Sequence, residues 1–199
     1  TDWNKEVLLP RAWQQMHSLT ASGGSDKVKY FAGFGYVKQD ALYGDTRTNK
    51  STSGFNRYNA RVNIDANIVD KYLNLSADMA YRQEDRNSIA GSTSDVFNNM
   101  HRNPQTDPGR FPDGNLGKVS LGVNPIGLAT EGGWVKDRKS VLNTRFMLDF
   151  NVPGLEGLNL KGIFSYDKIF NSIKRWTTPV DFYVWNKITG EYDGHSPNR

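Results

Sequence analysis

Residues 20–42 read TASGGSDKVKYFAGFGYVKQDAL, and the alternation inside this stretch decides the fold class. A turn of small residues, Ser22-Gly23-Gly24-Ser25-Asp26, separates two extended runs. In the second run Val28, Tyr30, Ala32, Phe34 and Tyr36 share one parity, and Lys29, Phe31, Gly33 and Gly35 share the other. Successive side chains of a strand point to opposite faces, so one face is apolar and aromatic while the other carries glycine and a lysine. A sheet in water buries such a face in a core, whereas a membrane barrel turns it to lipid.

The same pattern recurs outward from this stretch. Gln14–Ser22 is a strand candidate leading into the Gly-Gly turn. Tyr58, Ala60, Val62, Ile64 and Ala66 alternate with Asn59, Arg61, Asn63 and Asp65. The return strand sets Leu73, Leu75, Ala77, Met79 and Tyr81 against Asn74, Ser76, Asp78 and Arg82. A two-residue turn at Val69-Asp70 predicts a register with Ile64 opposite Leu75, Val62 opposite Ala77 and Arg61 opposite Asp78. From about Ser140, Leu142, Thr144, Phe146, Leu148 and Phe150 oppose Asn143, Arg145 and Asp149. After Pro153-Gly154, Leu158, Leu160, Gly162, Phe164 and Tyr166 oppose Asn159, Lys161, Ser165 and Asp167.

Tight turns at Gly23–Asp26, Val69–Asp70 and Pro153–Gly157 alternate with long connections over 38–54, 83–138 and 170–199, all three read as loop. Residues 1–13 lack a clean period, and Pro10 interrupts any helix there. An up-and-down meander with this order puts all tight turns at one rim and all long loops at the other, the asymmetry of bacterial outer-membrane barrels. The expected fold is therefore all-β: an antiparallel meander of about six strands from a larger transmembrane barrel. Six open strands leave two edges unpaired, so residues 1–199 are read as one partial barrel unit within a longer polypeptide.

Composition agrees with that class. The chain has 199 residues, no cysteine and a formal net charge of +4 spread along its length. Disulfides and thiolate chemistry are excluded, and nucleic-acid binding would need a concentrated basic stripe. A mean hydropathy of −0.66 without a long apolar run excludes a transmembrane helix but not a barrel of alternating strands.

Asp2-Trp3, the SGGSDKVKYFAGFGYVKQDAL block after Leu19 and Thr20-Ala21, and FNRYNARVNIDANI resemble the early barrel of SusC/RagA-type TonB-dependent transporters of Bacteroidetes. Asn103-Pro104 with Pro112-Asp113-Gly114 is similar to the loop those proteins carry after the fourth such strand. The resemblance covers nearly the whole chain. It implies a large barrel with an N-terminal plug that imports glycans or peptides, capped by a SusD-like surface lipoprotein and driven through TonB by a part outside this chain.

Candidate sites follow from the two faces and the loops. Asn59, Arg61, Asn63, Asp65, Asn74, Ser76 and Asp78 form the lumen-facing row. Tyr36, Tyr58, Tyr81 and Tyr166 lie on the apolar parity at strand ends next to long loops, where an amphipathic ring suits the headgroup level of a bilayer. Arg110, Phe111, Asp113, Trp134 and Trp176 are the loop residues offered to an oligosaccharide or peptide, with loop-to-loop packing as the open alternative. His17, His101 and His195 have no ligand spacing, and Asp107–Asn115 reads as turns before calcium, so neither metal nor cofactor is expected. Gly33-Phe34-Gly35 lacks the third glycine and helix of a nucleotide loop. No carboxylate pair is set apart as acid and base, and the reading is not an enzyme. The alternative is a soluble β-sandwich carbohydrate-binding module, in which the apolar rows meet in one core.

Overall fold

The computed structural model describes residues 1–195, without the side chain of His195. Six long strands form one antiparallel sheet: β1 (Gln14–Gly24), β2 (Val28–Asp40), β5 (Gly54–Val69), β6 (Leu73–Ile89), β7 (Gly133–Asn151) and β8 (Asn159–Thr177). They lie side by side in chain order, each antiparallel to the next, which is the expected all-β meander. The three tight turns share one rim and the three long connections the other. β1 and β8 are the sheet edges among the described residues.

Each tight turn has a local cause. Ser25 Oγ accepts from the amides of Lys27 and Val28, closing the first. Gly154 and Gly157 supply the positive φ angles of the third. The second differs from expectation. Three residues, Asp70–Tyr72, connect β5 to β6, Lys71 takes φ +70°, and a bulge falls between Asn67 and Val69. The register therefore moves by two residues: Ile64 faces Ala77, Val62 faces Met79, and Asp78 faces Asn63 in place of Arg61. A two-residue slip preserves parity, so the face of every side chain stands as read.

The long connections are not structureless, and the loop reading of 38–54, 83–138 and 170–199 is corrected. β2 continues to Asp40 and β5 begins at Gly54, with a short hairpin between them, β3 (Gly44–Asp45) and β4 (Lys50–Ser51). β6 continues to Ile89 and β7 begins at Gly133; in these extensions both faces are polar, so no period announces them. Between them lie α2 (Thr93–Arg102), capped by Ser92, and α3 (Pro125–Thr130), capped by Asn124 with Pro125 opening the helix. Residues 3–7 form α1 (Trp3–Val7), which ends before Pro10. β8 runs to Thr177, and a hairpin follows, β9 (Phe182–Asn186) and β10 (Glu191–His195).

These segments pack into a cap on the long-loop rim, and the cap holds the core. Trp3, Val7, Tyr43, Ile89, Val96, Met100, Leu116, Val119, Ile126, Ala129 and Phe182 are buried against one another. Polar residues brace it: the Trp3 indole donates to the Asn103 carbonyl at 3.0 Å, and Thr1 Oγ1 donates to the Asp107 carbonyl at 2.6 Å. Asn124 is wholly buried; its Nδ2 donates to the carbonyls of Gly109 and Gly117, and its Oδ1 accepts from the Ile126 amide.

Asn124→Ala removes a helix cap and orphans two buried carbonyls, a loss of about 3 kcal/mol. The expected outcome in the full-length protein is about a hundredfold faster amide hydrogen exchange over 103–130, with exchange in β5 and β6 unchanged. A loss under about 1 kcal/mol would mean that this side chain does not hold the cap together.

Candidate functional site

The sheet has two chemically distinct faces. On one, Tyr36 faces Tyr58, Phe34 faces Ala60, Val62 faces Met79, Leu75 faces Leu148 and Phe146 faces Phe164, a continuous apolar band over all strands from β2 to β8. No second sheet lies on it among the described residues. Phe34 is 49%, Leu148 45% and Tyr166 48% exposed; Tyr58, Tyr81 and Val62 are exposed as well, while Tyr36 and Leu75 are half-buried.

The other face is polar over the middle of β5 and β6 and mixed on its flanks, where Phe31 on β2, Met147 on β7 and the exposed Ile163 and Ile169 on β8 share it. Asn59, Arg61, Asn63 and Asp65 on β5 share it with Asn74, Ser76 and Asp78 on β6. Asp78 is the hub. Asn63 Nδ2 donates to one carboxylate oxygen, and Arg145, directly opposite on β7, donates to the other through Nη2 at 2.8 Å. Asn143 Nδ2 donates to Asp167 at 2.7 Å. Arg61, Asn63, Asp78, Asn143, Arg145 and Asp167 line a shallow groove of about 490 Å³. These charges cancel locally, which makes a wettable wall rather than a site with one unmatched charge.

Of the five loop residues chosen from sequence, three come together in the cap. Arg110 is spent on structure: Nη1 donates to the Gly114 carbonyl at 2.6 Å and Nη2 to Glu131 at 3.0 Å. Asp113 holds the same turn by accepting from the Asn115 amide and side chain. Phe111 is thereby presented to Tyr192, ring centres 5.0 Å apart. Tyr192 also contacts Trp185 at 4.8 Å and Tyr183 at 6.5 Å, edge to face. Phe111, Tyr183, Trp185 and Tyr192 form one aromatic cluster of the kind whose ring faces accept sugar rings or apolar side chains.

Tyr183, Trp185 and Tyr192 escaped the sequence reading. Phe182-Tyr183-Val184-Trp185 is apolar throughout and gives no period; Phe182 enters the cap core while Val184 and Trp185 are exposed. Main-chain bonds Tyr183 N to Leu116 O and Lys118 N to Tyr183 O fasten the hairpin to the segment carrying Phe111.

Trp134 and Trp176 are corrected: they stand on strands β7 and β8, not in loops, directly opposed on the same face as the tyrosines. Gly133, at φ +101°, starts β7 against the backbone of Trp176, where a Cβ would lie 2.1 Å from the Trp176 carbonyl oxygen. Asp107 of the stretch weighed for calcium accepts from the Ser120 amide and hydroxyl instead. His17 stacks on Tyr36, and His101 Nδ1 lies 2.7 Å from the Phe97 carbonyl. The side chain of His195 lies outside the described residues. Among the described residues no three metal-ligating side chains converge, and no helix is long and apolar enough to cross a membrane.

Compared with protein-family models and with curated proteins, the sequence gives no match to either.

Loss of water around Tyr192, and next the negative charge of Asp113, push its phenol above the ordinary tyrosine value. The neutral phenol therefore persists to higher pH than in a free tyrosine. Asp113→Asn is expected to lower the Tyr192 midpoint, read by NMR titration of ring-labelled tyrosine. An unchanged midpoint would separate Asp113 from the cluster.

Proposed function

We propose that this chain is part of an outer-membrane transport barrel, its apolar face against lipid, its polar face toward a water-filled or plugged lumen and its cap outside the cell. The observation that carries the reading is the apolar band, continuous across the sheet, uncovered by protein and topped by tyrosines. Leaving it in water is expensive. Thirteen large apolar or aromatic side chains of this band are more than a third exposed, from Val28 on β2 to Tyr166 on β8. At ~25 cal/mol per Å² their unburied area forgoes on the order of 10 kcal/mol, comparable with the whole stability of a domain.

The tyrosines also carry a measure of tilt. Tyr36 and Tyr58 are level in the register, Tyr81 faces Ala60, and Tyr166 faces Thr144, the residue two beyond the partner of Tyr81. The level thus drifts four residues over four strand-to-strand steps. One residue per strand is ~3.3 Å along for each ~4.8 Å across, a tilt of about 35° and within the range for membrane barrels. From Tyr58 to Ala66 the band runs ~26 Å along the strand, which at that tilt is ~21 Å of height against an apolar band roughly 25 Å tall in outer-membrane barrels.

On this reading the substrate is an oligosaccharide or peptide met first by the aromatic cluster, with a SusD-like lipoprotein over the cap and TonB supplying the drive elsewhere in the protein. The role is transport, not catalysis. The sandwich alternative has less support, because its defining feature is a second sheet over the apolar rows.

The chain has no native cysteine, so single cysteines report their surroundings cleanly. Full-length protein in vesicles, carrying a bimane on Val62→Cys, Leu75→Cys or Leu148→Cys, is expected to be quenched by brominated acyl chains. The same label on Asn63→Cys or Ser76→Cys should respond only to aqueous iodide. Equal responses from the two faces would overturn the barrel. In the same setting Leu75→Arg should cost roughly 2–4 kcal/mol of folding free energy, the charge being set against lipid near mid-depth.

A further inference from the structure

Above the tyrosines the outward face changes chemistry. Lys168 stands two residues beyond Tyr166 on β8, Arg138 four residues and Lys136 six residues beyond Leu142, the partner of Tyr81 on β7. All three share the tyrosines' face. Lys136 is directly opposed to Lys174, and like charges so placed repel unless an anion lies between them. Arg138 is partly neutralised by Asp85 at 2.6 Å, but among the described residues no carboxylate lies within ion-pair distance of Lys136, Lys168 or Lys174. A groove of about 510 Å³ runs here, lined by the four cations Arg86, Lys136, Arg138 and Lys174 against two carboxylates, Asp85 and Asp137, an excess of two positive charges. At its top the Trp134 ring lies 4.6 Å beneath the Lys136 ammonium, beside Trp176.

We propose that this basic ladder binds the anionic headgroup of a glycolipid in the outer leaflet. The inference rests on the membrane reading above and adds the class of lipid. At an axial rise of ~2.6 Å per residue for a tilted strand, Lys168 stands ~5 Å above the tyrosine level, Arg138 ~10 Å, Lys136 ~16 Å and Lys174, eight residues beyond Tyr166, ~21 Å. A phospholipid headgroup layer is only ~5–8 Å thick, so its phosphate meets Lys168 and stops short of the upper pair. A headgroup of acidic, phosphorylated sugars spans the full height. Its anionic groups make charge-assisted hydrogen bonds to the lysines, relieve the Lys136–Lys174 repulsion and bring sugar rings level with the two tryptophans.

The test is native mass spectrometry of the full-length protein in mild detergent with two probes: lipid A bearing two acidic core sugars, and phosphatidylglycerol. Lys136→Gln/Lys174→Gln is expected to weaken the glycolipid about tenfold, leave phosphatidylglycerol unchanged, and be rescued by Lys136→Arg/Lys174→Arg. Equal glycolipid affinity in wild type and the glutamine variant would overturn the proposal, as would an equal loss for both lipids. The bimane responses of Val62→Cys and Leu148→Cys keep the two readings apart. Quenching by acyl chains with no effect of the lysines removes the glycolipid alone; no quenching removes the membrane.

Discussion

The structure depends on an inversion of burial. In a water-soluble β-protein the long sheet supplies the core and the loops lie over it, because the sheet offers the largest continuous apolar area. Here the apolar core belongs to short helices and connections at one rim, while no other described residues cover the sheet's apolar rows. Burial divides the chain in two: the cap encloses an apolar core of its own, and one apolar face of the sheet is left open among the described residues.

That division explains how the sheet is written. In β5 and β6 the inner positions are Asn, Arg, Asp and Ser, satisfied laterally by neighbours such as Asn63, Asp78 and Arg145. The outer positions make no polar demand between the tyrosines and the tight turns. Beyond the tyrosines the same outer positions become Gln83, Asp85 and Asn87 on β6, and Ser140, Arg138 and Lys136 on β7. The strands continue while the side chains on this face turn from apolar to polar.

The sequence made the faces legible because the period of a strand is two, and the rows of β5 and β6 between Tyr58 and Ala66 and between Leu73 and Met79 separate apolar from polar residues; those of β2, β7 and β8 are less clean, with Phe31, Met147 and Ile163 on the polar parity and Thr144 on the apolar one. Register was harder. Parity constrains it only to steps of two, and the choice among those steps was made by Lys71, a non-glycine residue in a left-handed conformation that no composition rule picks out. The strand ends beyond Tyr81 and before Ser140 were illegible for a related reason: alternation between two polar faces is no alternation at all. The cap helices were hidden by their size, since six to ten residues give too few turns for a helical period to emerge, although Ser92 and Asn124-Pro125 are local start signals. Of the candidate site, Phe111 was visible as an aromatic in a turn-rich segment. Its companions Tyr183, Trp185 and Tyr192 were not, because their meeting depends on main-chain bonds between β9 and residues 116–118.

The cap's position on a single rim follows from the same economy. The tight turns of three to seven residues have no chain to spare for a core, and Ser25, Lys71 and Gly154 solve them by local geometry alone. The opposite rim has the connections around 41–53 and 90–132, joined by α1 and by the β9–β10 hairpin, and only together do they bury enough apolar area to hold shape. Asn124 ties the middle of that assembly, Trp3 and Thr1 tie its first residues to 103–109, and Phe182 ties its last hairpin. An aromatic cluster mounted on such a cap is held by a core of its own, so its shape is set independently of whatever surrounds the sheet below.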